Sequence, residues 1–116
     1  MQNIIYSSTG PSKPRIYKIT HDTVVNISQR IELECNAMAY PQADIKWYFK
    51  GKERVTNCSK DRCIYDVEVN KNENKTSSTL RIDGVKYEDK GKYLCEATNV
   101  HGRHTSTTTL LVQGKH

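Results

Sequence analysis

Few residues in this chain have the types and spacing that chemistry requires. Its four histidines are His21, His101, His104 and His116, and none sits beside a nucleophile in a recognisable catalytic motif. His101-Gly102-Arg103-His104 offers two imidazoles to a metal, but the spacing crosses a predicted turn and no acidic residue lies nearby in sequence to complete the ligand set. They read as solvated loop histidines, so neither a metal nor a cofactor is expected. Phosphate-cradling glycine loops are absent, as are the stacking aromatics that nucleic-acid binding would place beside the cations. The chain is therefore expected not to be an enzyme. If an activity such as a kinase accompanies it, that activity belongs elsewhere in a longer parent protein.

The remaining reactive groups are thiols and amides. Cys35, Cys58, Cys63 and Cys95 are even in number and permit three pairings. Disulfides persist where the compartment is oxidising, which points to a secreted or cell-surface location. Asn26-Ile27-Ser28, Asn57-Cys58-Ser59 and Asn74-Lys75-Thr76 are acceptor motifs for N-glycosylation and agree with that location. Asn74 falls on a hydrophilic stretch expected to be an exposed hairpin tip, which makes it the favoured acceptor of the three.

A length of 116 residues is enough for one domain. With 35% apolar residues and a mean hydropathy of -0.76, the chain suits a fold in which half of every element faces water. Lys and Arg total 18 against 13 acids, a net charge of +5, well short of a nucleic-acid-binding composition. No segment has the basic start and apolar run of a signal peptide, and none approaches a membrane span. The chain is expected to be one module of a longer protein, with residues 1–13 a flexible leader and 114–116 the start of a C-terminal linker.

The elements that must position the thiols are alternating strands. In Asp89-Lys90-Gly91-Lys92-Tyr93-Leu94-Cys95 a Tyr precedes a Cys by two residues. The ring then packs at a strand corner with its hydroxyl bonded back to nearby backbone, and the Cys points into a core. Cys35 in Ile31-Glu32-Leu33-Glu34-Cys35 and Trp47 in Ile45-Lys46-Trp47-Tyr48-Phe49 lie upstream in the same alternating pattern. That Cys…Trp…Tyr-x-Cys order, with Leu80-Arg81-Ile82 ahead of Asp89 and Gly91, resembles the immunoglobulin superfamily, most closely its I-set, over residues 14–112. The resemblance implies a Cys35–Cys95 bond, which leaves Cys58 and Cys63 for each other. Cys58 and Cys63 have four residues between them and can close a small loop, so they read as a clip stiffening a connection rather than as a redox pair. Asn57 beside it is the poorer glycan acceptor.

Short strands at this spacing, separated by turn residues, predict an all-β, two-sheet antiparallel Greek-key sandwich over residues 14–113. Edge strands are expected at 14–19 and 23–27. Core-facing alternation covers 30–37, 45–49, 64–69, 78–82, 93–97 and 103–112. Residues 53–55 are a short extra strand, 70–75 a hairpin tip, 85–89 a crossing that resembles the family's short helical turn, and 99–102 a hairpin.

The outward residues of the two sheets differ. Glu32, Glu34, Asn36, Thr79, Arg81 and Asp83 form an ordinary solvated face beside Cys35. Beside Trp47 and Cys95 the outward set is Lys46, Tyr48, Lys50, Leu94, Glu96, Thr98, Thr109 and Leu111, an aromatic and leucines rimmed by charge, which suits a protein-binding patch. The resemblance supports this, since immunoglobulin domains often dimerise or bind ligands through that face. Lys46, Lys50, Lys52, Arg54, Lys60 and Arg62, against Glu53 and Asp61, also give residues 46–62 a net charge of +4, a candidate edge for a polyanion such as heparan sulfate. The expected function is extracellular recognition: cell adhesion or a receptor ectodomain, with a protein ligand or a second copy as partner. A heparan-sulfate-binding matrix module and an intracellular sarcomeric spacer are the alternatives.

Overall fold

In a computed structural model, which describes residues 11–50, 53–55 and 65–114, nine strands form two sheets. In chain order these are β1 (Ser12–Ile19), β2 (Thr23–Asn26), β3 (Ile31–Tyr40), β4 (Asp44–Phe49), β5 (Glu53–Val55), β6 (Tyr65–Asn72), β7 (Lys75–Ile82), β8 (Gly91–Asn99) and β9 (Gly102–Gln113). Sheet one has the order β1-β3-β7-β6 and sheet two the order β2-β9-β8-β4-β5. The sandwich follows from the pattern of the sequence. Leu33, Cys35, Ala37 and Ala39 of β3 are buried and alternate with partly or fully exposed residues, and β7 and β8 repeat that period of two.

Four residues form the centre. Cys35 pairs with Ser78 across β3 and β7, and Trp47 pairs with Cys95 across β4 and β8. Sulfur bridges Cys35 to Cys95, and the Trp47 Nε1–H donates to Ser78 Oγ at 3.0 Å. The two sheets are thus joined at neighbouring points by a covalent bond and a buried hydrogen bond. Leu33, Leu80, Ile82, Val85, Tyr93, Ala97 and Leu110 surround this centre and are essentially inaccessible to water. The hydroxyl of Tyr93 donates to the carbonyl of Asp89 at 2.6 Å, holding β8 to the 3-10 turn Tyr87–Asp89. The buried Asp89 in turn accepts from the Lys86 N–H at 2.8 Å. Gly91 opens β8 at φ +140°, and a Cβ there would lie 3.2 Å from the Phe49 ring, whose centroid is 4.8 Å from that of Tyr93.

Several boundaries differ from those expected of the sequence. β1 starts at Ser12 instead of residue 14, because Ser12 pairs with Tyr40 and its Oγ accepts from the Tyr40 N–H at 3.1 Å. For the same reason β3 continues to Tyr40. The expected tip at 70–75 is a tight hairpin: Asn72 pairs with Lys75, leaving Glu73 and Asn74 as the turn, with Glu73 at φ +56°. Asn74 is half-buried there, since its carbonyl accepts from the Ala39 N–H at 2.9 Å. The pairing is antiparallel except between β2 and β9, which run parallel. That exception follows from a switch of sheets. The Thr20 hydroxyl accepts from the Glu34 N–H at 2.7 Å at the end of β1, and the Asp22 carboxylate accepts from the Thr109 N–H at 3.0 Å where β2 joins the other sheet.

Candidate functional site

The outer face of sheet two is laid out in rows. Tyr48, Leu94 and Thr107 are aligned across β4, β8 and β9, and Arg54 of β5 is in register with Tyr48. The next row is Lys46, Glu96 and Thr105, and the one beyond is Asp44, Thr98 and Arg103. Alternation forces these side chains outward, because their neighbours Ile45, Trp47, Tyr93, Cys95 and Ala97 are in the core. Glu96 organises the face. Its carboxylate accepts from the Tyr48 hydroxyl at 3.3 Å and pairs with the Arg103 guanidinium at 3.2 Å. Tyr48 and Leu94 are half-buried, so the centre of the face is a shallow, pre-positioned apolar row rimmed by Lys46, Glu96 and Arg103.

The structure does not bring all the expected patch residues together. Lys46, Tyr48, Leu94, Glu96 and Thr98 are contiguous. Lys50 lies in the turn after β4, with its ammonium 5.1 Å from the Phe49 ring centroid. Leu111 is separate. Leu94 is in register with Thr107, and Leu111 lies four residues farther along β9, roughly 13 Å away. Leu111 instead faces Val24 of β2, and these two side chains are 51% and 55% exposed. Among the described side chains of this sheet, the most exposed apolar pair is therefore at its β2 edge, away from the tyrosine.

Of the candidate polyanion residues, Lys46 is in register with Glu96 on β8. Lys52, Lys60 and Arg62 lie outside the described residues, as do Cys58, Cys63 and Asn57, and Arg54 is placed by its backbone alone. His104 is fixed by its Nδ1, which accepts from the Ile16 N–H at 2.8 Å and joins β9 to β1. No group of three or more His, Cys, Asp or Glu side chains among the described residues is arranged to hold a metal. Depressions of about 280 Å³ lie between Ile27 and Tyr87 and between Pro41 and Val100. No helix among the described residues is long and apolar enough to cross a membrane.

The opposite face, on sheet one, is polar and paired. Arg81 of β7 reaches Glu32 on β3 and Glu68 on β6, both at 2.9 Å. Hydrogen bonds to the Glu68 and Glu32 carboxylates hold its guanidinium above the usual arginine range. The sequence placed Arg81 outward but carried no signal for this three-strand bridge.

The sequence profile of the immunoglobulin I-set domain matches residues 14–112. The chain belongs to the immunoglobulin I-set family. This I-set domain is 31% identical to human pro-neuregulin-2, membrane-bound isoform, over 87% of this chain and 11% of that protein. It is 28% identical to chicken neural cell adhesion molecule 1, over 88% of this chain and 9% of that protein. It thus spans about a tenth of the length of these relatives. Among solved structures it resembles titin domain M4, with a TM-score of 0.74 and 26% identity, covering 90% of this chain and all of that one. The I-set domain is homologous both to domains of cell-surface proteins and to a titin domain. Its family comprises structural and binding modules.

Proposed function

We propose that this I-set domain is an extracellular recognition module that binds a protein partner through the outer face of sheet two. The observation that carries the reading is the Tyr48–Leu94 row held by Glu96 and Arg103. An aromatic and a leucine at the centre, with fixed orientation and a charged rim, match the anatomy of a protein interface. Tyr48 would supply contact area at low entropic cost, because its hydroxyl is already tied to Glu96. The Cys35–Cys95 bond supports an oxidising compartment. Likeness to a cell adhesion molecule and to a membrane-bound pro-neuregulin supports the surface of a cell. The chemistry is rigid presentation, with no catalytic step.

The test is the oligomeric state of the oxidised chain, by sedimentation across a wide concentration range, with Tyr48→Glu and Leu94→Glu as variants. A dimer abolished by both variants identifies a second copy as the partner. A monomer throughout directs the search to a different protein. Salt-sensitive retention on heparin, unaffected by Tyr48→Glu, would replace this reading with polyanion binding through residues 46–62. The competing reading is a ligand-free mechanical spacer, favoured by the likeness to titin M4. Free thiols at Cys35 and Cys95 and no glycan on the natural protein would support it.

A further inference from the structure

The exposed apolar pair at the β2 edge has no role in the recognition face. Val24 and Leu111 stand opposite each other on the outer side of sheet two, and β2 has a neighbour on one side only. A free strand edge bearing exposed apolar side chains is a template for unwanted association unless something covers it. Asn26 is two residues beyond Val24 on the same strand and the same face, about 7 Å along it, and is exposed. It opens the motif Asn26-Ile27-Ser28, and Ser28 is exposed too.

The backbone around Asn26 has no need of its side chain. The Asn26 N–H donates to Gln29 Oε1 at 3.3 Å, and its carbonyl accepts from the Gln29 N–H at 3.1 Å. The Ile27 N–H donates to Gln113 and the Ser28 N–H to Val85. A group attached to the Asn26 amide therefore breaks no hydrogen bond of the turn. Asn74 is placed otherwise. It is half-buried in its hairpin, and the Thr76 of its motif is 1% exposed, with its hydroxyl donating to the Ala43 carbonyl at 3.1 Å. In the folded chain the motif at Asn26 is the more exposed of the two.

We propose that Asn26 carries an N-linked glycan that covers Val24 and Leu111 and caps the free edge of sheet two. The assignment rests on the extracellular reading above. The donor class is an oligosaccharide linked to a polyprenyl diphosphate. The Asn26 side-chain nitrogen bonds to the anomeric carbon, and that carbon's bond to the diphosphate oxygen breaks. The diphosphate leaves with the electron pair, and one amide proton passes to a base of the transferase. The sugars nearest the protein then lie over the apolar pair with their hydroxyls in water. The glycan also confines docking to the Tyr48–Leu94 side of the sheet.

The whole chain, secreted from eukaryotic cells behind an added signal sequence, provides the test. Enzymatic glycan release in heavy-oxygen water converts each glycosylated Asn to labelled Asp, which peptide mapping then locates. The expected result is label at Asn26, with one glycan's mass lost in both Asn26→Gln and Ser28→Ala. The Asn26→Gln protein should then self-associate at concentrations where the glycosylated chain is monomeric, and Val24→Ser with Leu111→Ser should reverse this. No label at Asn26 in a folded, disulfide-bonded, secreted chain overturns the acceptor assignment. A labelled chain whose Asn26→Gln variant gains no association overturns the covering role. Free thiols at Cys35 and Cys95 in the natural protein overturn the extracellular reading and with it the glycan at Asn26, whereas a disulfide-bonded natural chain with no label at Asn26 overturns the acceptor assignment alone.

Discussion

The inner and outer sides of sheet two use the same strands for opposite purposes. On the inner side, Trp47 and Cys95 are fully buried and reach across to Ser78 and Cys35, so each polar or reactive atom has one fixed partner. On the outer side, Tyr48, Leu94 and Glu96 are one residue out of phase with them and only half-buried. Tyr48 bonds to Glu96, and Glu96 to Arg103, within the sheet. A shift of one residue along β4 or β8 exchanges a stability determinant for the proposed recognition surface. Inner substitutions should therefore cost folding energy and spare specificity, and outer ones the reverse.

The largest expected effect comes from removing the bond between the sheets. Cys35 and Cys95 are 60 residues apart, and replacing both with Ala should cost about 4 kcal/mol of unfolding free energy, read by denaturant titration. Next is Ser78→Ala, which leaves the buried Trp47 N–H without its acceptor. A loss of about 1–3 kcal/mol is expected, accompanied by a changed Trp47 fluorescence environment. Tyr93→Phe removes the bond to the Asp89 carbonyl and should cost about 1 kcal/mol, a fall in Tm of roughly 4–8 °C. Thr108→Val runs in the opposite direction. Thr108 is 1% exposed and its hydroxyl has no hydrogen-bond partner among the described residues, so Val should stabilise by up to about 1 kcal/mol. Smallest is Tyr48→Glu, with a Tm shift of no more than a few degrees and its main effect on partner binding. A large Tm loss for Tyr48→Glu, or none for Ser78→Ala, would break the division between the two sides.

That division was legible in the sequence wherever alternation is regular. Cys35, Trp47, Leu80, Tyr93 and Cys95 each sit in a run of period two, and burial follows parity. Contacts set by register were not legible. Ser78 could be placed inward, but nothing in the sequence marks it as the acceptor for Trp47, because that depends on how one sheet slides over the other. Leu111 has the same outward parity as Tyr48 and yet belongs to a different patch, since parity gives the side of a sheet and not the distance along it. The short run Thr23-Val24-Val25-Asn26 gave no indication that it would pair parallel to β9. The backbones of β2 and β9 make that pairing, and the Asp22 carboxylate adds one side-chain bond to the Thr109 N–H that leaves no periodic trace.

The parallel pairing of β2 with β9 also has a mechanical consequence. The chain enters through β1 and β2 and leaves through β9. Because β2 and β9 point the same way, tension applied between the two ends pulls them past each other along their length. The hydrogen bonds between them are loaded together in shear, whereas an antiparallel terminal pair pulled from its open end would unzip one rung at a time. At this pair the load is thus carried by one short strand, four residues from Thr23 to Asn26.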